Sequence, residues 1–157
     1  MITNDDTTLL VLRELIWSGR DAEQGYQRAA DRVNVPELVE LFEARALQRT
    51  KFVLELEDRV RTLRGTPPDR GTVAGALHRA WMNVSEASEG TQAHALLAEC
   101  EQGENAATKA YGAALGEAHV DGQTRDIIQR QYEQVQAAHD RVRQLRDSAT
   151  YAHRSSE

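Results

Sequence analysis

Two carboxylates and one thiol stand close together in the stretch ECEQGENAATKAYGAAL, residues 99–115. The composition favours a helix, in which Cys100, Glu101 and Glu104 lie on or beside the face that turns towards a core. A buried carboxylate without a partner is costly and shifts its pKa upward. The pattern therefore predicts that these acids contact either a metal ion or a buried cationic side chain.

Four long helices are expected to position these residues. The spacing of apolar residues predicts helices over about 6–33, 36–64, 91–118 and 121 into the 140s. Asp5, Asp6 or Thr7 is expected to cap the first helix, and Pro36 suits the first turn of the second. Residues 1–157 are expected to form a single domain whose tail frays at about 150–157.

The segment 65–91, between helices two and three, decides the topology. Its roughly 27 residues exceed what a hairpin connection needs, and it combines a loop, RGTPPDRG, with a short amphipathic helix. A span of about 27 Å of helix plus about 25 Å of extended chain matches the roughly 42 Å length of helix two. The segment can therefore set helix three parallel to helix two. The predicted fold is an all-α, ferritin-like four-helix bundle with one long crossover.

This topology brings polar residues from four helices to one height: Glu23, the Arg45, Gln48 and Arg49 patch, Glu101, Glu104 and His139. One interpretation is a metal site, in which Glu23, Glu101, Glu104 and His139 bind iron or manganese as in ferritin-like bundles. The other is a metal-free network, in which Arg45 or Arg49 pairs with one of the acids and Gln48 and Tyr111 complete the hydrogen bonds.

The spacing of the candidate ligands favours the metal-free network. Helix four offers Gln136-x-x-His139 instead of Glu-x-x-His, and helix two contains no histidine. Glutamine is a poor ligand for iron, and an arginine in the same layer would repel a cation. We therefore expect no cofactor, with an iron or manganese site as the alternative.

The stretches GALHRAWMNV, ECEQGENAATKAYGAAL and QRQYEQVQAAHDRVRQLRD resemble a bacterial family of uncharacterised ferritin-like four-helix-bundle proteins. With LFEARALQRTKFVLELEDRV and GRDAEQGYQRAADRV, the resemblance extends from about residue 7 to 147. It implies the fold but no activity. The broader ferritin-like superfamily binds di-iron or di-manganese centres, and only Glu23, Glu101 or Glu104, and His139 stand where such ligands would be. Helix two lacks the pair of metal ligands that the superfamily pattern would place there.

Composition and motifs exclude several other functions. A net charge of -6 without a basic cluster argues against nucleic-acid binding, and no apolar run approaches the roughly 20 residues of a membrane helix. The N-terminus lacks the features of a signal peptide, so a cytoplasmic location is expected. No phosphate loop, nucleophile elbow or Cys-x-x-Cys motif is present.

These observations together predict a non-catalytic structural, stress-linked or interaction protein. The alternative is a metal-binding bundle with oxidoreductase or metal-sequestering activity. Leu10, Leu15 and Trp17 lie off the main seam of helix one, so this helix face is a candidate surface for a homo-oligomer. Cys100 is expected to be a core residue. Gly103 is expected to allow close helix packing or to leave room for a ligand.

Overall fold

The computed structural model describes residues 3–69, 81, 93–148, 150 and 151. Within these residues the chain forms four helices and no strand. The helices are α1 Asn4–Arg32, α2 Pro36–Thr62, α3 Ala93–Gly116 and α4 Gly122–Asp147. Their ends agree with the predicted ones to within about two residues. The helix expected inside 65–91 and the end of the tail lie outside the described residues, apart from Trp81.

The first two helices begin through different local contacts. The N-cap of α1 is Thr3, which accepts a hydrogen bond from the Asp6 amide while the Asp6 carboxylate accepts one from the Thr3 amide. The prediction of Asp5, Asp6 or Thr7 as the cap is therefore wrong. Thr3 is the N-cap, and Asp6 is the N3 residue of its capping box. Pro36 is the first residue of α2, as expected.

Contacts near the helix ends fix the directions of the four helices. Thr8, near the start of α1, donates a hydrogen bond to the carbonyl of His119 just after α3 (3.3 Å). Tyr151, just after α4, donates to Glu37 in the first turn of α2 (2.9 Å). Thus α1 is antiparallel to α3 and α2 is antiparallel to α4. Since short turns make α1 antiparallel to α2, helices α2 and α3 are parallel, which confirms the predicted crossover topology.

A polar layer divides the core into two apolar clusters. The first cluster lies towards the end of α1 and the start of α2, and it includes Tyr26, Phe42, Trp81, Leu97 and Cys100. The second lies towards the opposite end and includes Leu12, Ile16, Leu56, Ile128 and Val135. Arg49 and Glu104 are buried between these clusters. The predicted polar layer is therefore present, with a smaller set of residues at its centre.

The outer face predicted on helix one is only partly exposed. Leu10 is exposed over 56% of its surface, whereas Leu15 is buried at 1%. Trp17 is half-buried. The three residues do not form one exposed face, because Leu15 points into the second apolar cluster.

Candidate functional site

A buried ion pair occupies the middle of the bundle. Arg49 of α2 donates a hydrogen bond from Nη2 to Oε2 of Glu104 on α3, at 2.6 Å. Tyr26 of α1 donates its hydroxyl to the same oxygen, at 2.7 Å. The exposed fractions are 2% for the Arg49 side chain and 0% for Glu104. Three helices are thus joined at one carboxylate oxygen.

The guanidinium of Arg49 has further favourable contacts. Its carbon Cζ lies 5.8 Å from the ring centre of Tyr26 and 5.9 Å from that of Phe52, within the range of cation–π attraction. Its Nε donates to the Gln48 side chain at 3.4 Å. Burial, the largest single effect, would lower the pKa of Arg49, but the interactions with Glu104, Tyr26 and Tyr111 together raise it above its ordinary value. Arg49 is therefore a fixed cation.

The neighbouring hydroxyl and thiol are held in their neutral forms. Burial, followed by the charge of Glu104, raises the pKa of Tyr26 well above 10.0. The same two causes raise the pKa of the Cys100 thiol well above 9.0. Cys100 is fully buried in the first apolar cluster, as expected of a core residue. A thiol in such surroundings is a weak nucleophile, because its thiolate is disfavoured.

Trp81, from the crossover segment, covers this centre on the side of α1 and α3. Its indole packs on the backbones of Gly25 and Gly103, where an added Cβ would lie 2.2 Å from ring atoms in both cases. The ring centres of Trp81 and Tyr26 are 5.0 Å apart. Gly103 thus makes room for the Trp81 indole. The sequence predicts close helix packing or room for a ligand at this glycine, and not a side chain from the crossover segment.

Glu101 and His139 belong to a separate group between α3 and α4. His139 Nε2 lies 3.8 Å from Glu101 Oε1 and 2.6 Å from the Asn105 side-chain oxygen. The other oxygen of Glu101 forms an ion pair with Arg146. His139 is partly accessible, with 16% of its side chain exposed, whereas Glu101 is buried, with 10% of its side chain exposed. The pair therefore lies between the centre of the bundle and its surface.

A third polar group runs from the second apolar cluster to the surface. Tyr111 donates its hydroxyl to Gln131 Oε1 at 2.6 Å, and Gln131 donates to Glu55 at 2.8 Å. Arg130 then binds both oxygens of Glu55, at 3.0 and 2.9 Å. Tyr111 and Gln131 are buried, whereas Arg130 is exposed. The chain of bonds satisfies the polar groups that α3 and α4 bury in the second cluster.

The structure separates the four predicted ligands. Glu104 is central, Glu101 and His139 lie together at the α3–α4 boundary, and Glu23 is half-buried on α1. Within the described residues no hydrogen bond or ion pair joins Glu23 to the other three. The same residues contain no group of three or more His, Cys, Asp or Glu side chains arranged to hold a metal.

Sequence reasoning identified Arg49 and Glu104 but missed several of the residues around them. Tyr26 has the spacing of the apolar seam of helix one, and that spacing does not show which partner its buried hydroxyl finds. Nothing in the sequence indicated that Asn105 or Arg146 contacts the site, since both are residue types that usually lie on exposed helix faces. Tyr111 does form a hydrogen bond, but with Gln131. The acids thus pair with arginines from two different helices.

Comparison with known proteins agrees with this fold. A similar solved structure is the bacterioferritin-related protein from Bacteroides fragilis, described as a dodecameric thioferritin. The TM-score is 0.71, with 90% of this chain and 85% of that chain covered at 15% identity. At this identity the similarity concerns the fold alone, and it confirms the all-α, ferritin-like four-helix bundle.

The remaining comparisons concern the sequence. No curated protein matches the chain. Within the described residues, none of the helices is both long and apolar enough to cross a membrane. Residues 7–117, which include most of α1 and all of α2 and α3, match a family described as a domain of unknown function. The match covers more than half of the sequence. The chain therefore belongs to the DUF2383 family, a family of unknown function, as the resemblance predicted.

Proposed function

We propose that this protein is a non-catalytic ferritin-like bundle that acts through association, with a metal-free centre in which Arg49 supplies the positive charge. The observation that carries the proposal is the 2.6 Å contact between Arg49 and Glu104, both almost fully buried. In ferritin-like metal sites, carboxylates and histidines from all four helices surround the cation. Here a permanent guanidinium stands against the central carboxylate.

The donor set around Glu104 does not fit a bound metal pair. One oxygen of Glu104 already accepts from both Arg49 and Tyr26. A divalent ion beside it would be repelled by the Arg49 charge, and the high pKa of Tyr26 disfavours a phenolate ligand. Arg49 and the neutral Tyr26 thus favour a structural role for Glu104, in which it holds three helices together, over a role as a metal ligand.

A metal-binding function is the second candidate, and the proximity of His139 to Glu101 favours it. Their side chains approach to 3.8 Å, which is close enough for both to contact one ion after a small movement. The fold similarity to a thioferritin supports iron as the metal, with manganese as the other choice. Against this candidate, Arg146 pairs with Glu101 and Asn105 contacts His139 Nε2.

Association with other copies of the chain is supported by the same structural neighbour, which is described as dodecameric. A small bundle without a catalytic or cofactor centre needs a binding surface to act. This fold similarity suggests that the partner is a second copy of the same chain. The surface itself must be found on this chain, because a similarity of 15% identity carries no interface residues.

Elemental analysis tests the metal-free centre directly. Protein purified without chelators, and protein loaded anaerobically with ferrous iron or with manganese, should retain far less than one metal per chain. Glu104→Ala and His139→Ala should leave that result unchanged. Stoichiometric metal that is lost in both variants would overturn the metal-free centre. Metal lost only in His139→Ala would support the Glu101–His139 candidate.

A further inference from the structure

The outer side of α2 carries two strongly exposed leucines. Leu47 and Leu54 are each exposed over 55% of their surface. They stand seven residues apart, two helical turns, and so lie on the same side of the helix. Ala44, one turn before Leu47, is also exposed. These residues define the outer α2 stripe, an apolar strip with the spacing that two packed helices use.

Charged residues flank the outer α2 stripe with opposite signs at its two ends. Glu40 lies towards the start of α2 and Arg61 towards its end, and both are exposed. A second α2 laid parallel would place like charges together. An antiparallel second α2 would place the Glu40 end of one helix against the Arg61 end of the other.

One antiparallel register brings the leucines of both copies together and also opposes Glu40 to Arg61. With a two-fold axis midway between Thr50 and Lys51, Leu47 of one copy faces Leu54 of the other, and Glu40 faces Arg61. Symmetry repeats both pairs, so four leucines and two opposite-charge pairs meet across the contact. The two leucines therefore select this alignment, and the Glu40–Arg61 pairs are compatible with it.

The same register places Glu43 opposite Asp58, which is an unfavourable pair. Arg61 donates to Asp58 of its own helix at 3.2 Å, so the guanidinium that faces Glu40 of the other copy also reduces this repulsion. The Asp58 side chain is 80% exposed in the single chain and Glu43 is also exposed, so water screens the repulsion between them. The two Lys51 residues of the dimer lie near each other at the axis. Their long stems can pack beside the leucines while the like-charged ammonium groups separate into solvent.

We propose that a second copy of this chain docks on the outer α2 stripe, antiparallel, with Leu47 against Leu54 and Glu40 against Arg61. This interface rests on the proposed function, for which it names the associating surface. It is isologous, since each copy uses the same residues. A flat two-helix contact also leaves α1, α3 and α4 free for further contacts.

The first test compares substitutions at equally exposed leucines. Wild-type protein should sediment as a dimer or a larger multiple of 17.6 kDa. The double variant Leu47→Glu with Leu54→Glu should raise the dissociation constant of the dimer about tenfold or more. The matched control is Leu10→Glu on α1, since Leu10 is exposed at 56% and lies outside the stripe. This control should leave the association unchanged, and circular dichroism should show that all three proteins are folded.

The second test determines the register by disulfide formation. Leu47→Cys and Leu54→Cys variants, mixed and oxidised, should give a covalent heterodimer. Leu47→Cys alone should not cross-link, because its own partner position lies about 10 Å away along the axis, beyond disulfide reach. Native Cys100 is buried and should not react. Efficient cross-linking of Leu47→Cys alone would overturn the register.

The remaining outcomes separate this interface from the proposed function. A wild-type protein that stays monomeric at about 100 µM, where even a contact with a dissociation constant of about 10 µM is mostly occupied, would overturn the interface and the association. Assembly that persists in the double leucine variant would overturn the interface alone and place the contact elsewhere. Neither result depends on whether metal binds, which elemental analysis decides independently.

Discussion

At the scale of single residues, the Arg49–Glu104 pair balances two large opposing effects. Removing both charges from water is costly, and the cost is offset by a short hydrogen bond, by the Tyr26 hydroxyl and by the aromatic rings beside the guanidinium. Such a pair adds little net stability compared with apolar residues of the same size. Replacing only one of the two residues is strongly destabilising, because the buried charge that remains then loses its partner.

We therefore expect Arg49→Met to destabilise the fold by about 3–5 kcal/mol. Glu104 would keep only the Tyr26 hydroxyl as a partner in a buried site. Denaturant unfolding at one fixed protein concentration measures the change, since any association would otherwise alter the apparent stability. A loss within the roughly 0.5 kcal/mol typical of a surface substitution would contradict the account.

The double variant Arg49→Met with Glu104→Gln is the control for this prediction. The glutamine oxygen still accepts from Tyr26, and no buried charge remains. The double variant should therefore lose less stability than the sum of the two single changes, with a coupling of about 1–3 kcal/mol. Simple additivity would show that the two side chains do not act as a pair.

At the scale of elements, the start of α4 is fastened to the end of α2. Asp121 is the N-cap of α4 and accepts from the Thr124 amide at 2.9 Å. Arg59 of α2 donates to the same carboxylate at 2.9 Å and to the Thr124 hydroxyl at 2.9 Å. Partial burial alone would raise the pKa of Asp121, but the bonds from Thr124 and Arg59 outweigh it and lower the pKa below 3.8.

This lowered pKa predicts how the contribution of Asp121 depends on pH. The folded state favours the ionised carboxylate, so its contribution is complete above pH 3.8 and is lost as the pH falls through the lower folded pKa. Asp121→Asn keeps a capping oxygen but removes the charge, and should cost at most about 1 kcal/mol at pH 7.

The difference between Asp121→Asn and wild type should shrink as the pH falls below 3.8 and vanish below the lower folded pKa of Asp121. Urea unfolding from pH 7 downward measures it. Asp126→Asn is the matched control, because Asp126 is an exposed aspartate in the same first turns of α4. A difference that stays constant through the acid range would contradict the role of the charge.

The bounds of the helices and their directions were predictable from the sequence, while the pairing of polar side chains was not. Apolar spacing and Pro36 define the helices, and the length of 65–91 defines the crossover. Within the polar layer, however, a shift of one residue turns a helix by about 100°, so the partners depend on packing. Glu101 and Glu104 illustrate this, since one faces α4 and the other faces α1 and α2.

At the scale of the whole molecule, Trp81 connects the crossover to the core. Its ring lies against Gly25 of α1 and Gly103 of α3, next to the Tyr26 ring. Because Trp81 is exposed over only 2% of its surface, it supplies one of the largest apolar contacts of the first cluster. The two glycines are therefore needed for the position of the Trp81 ring, and their weak helix propensity is offset by this contact.

Gly103→Ala should accordingly destabilise the protein by about 1–3 kcal/mol, because overpacking outweighs the roughly 1 kcal/mol gained in helix propensity. Gly112→Ala on the same helix is the matched control, since no described atom lies within 4 Å of its added Cβ. That control should be neutral or stabilising. In a Trp81→Ala background the indole is absent, so Gly103→Ala should also become neutral or stabilising. Thermal unfolding of the four variants measures both effects, and a Gly103→Ala penalty that survives the loss of Trp81 would show that another contact, not the indole, limits the space at this glycine.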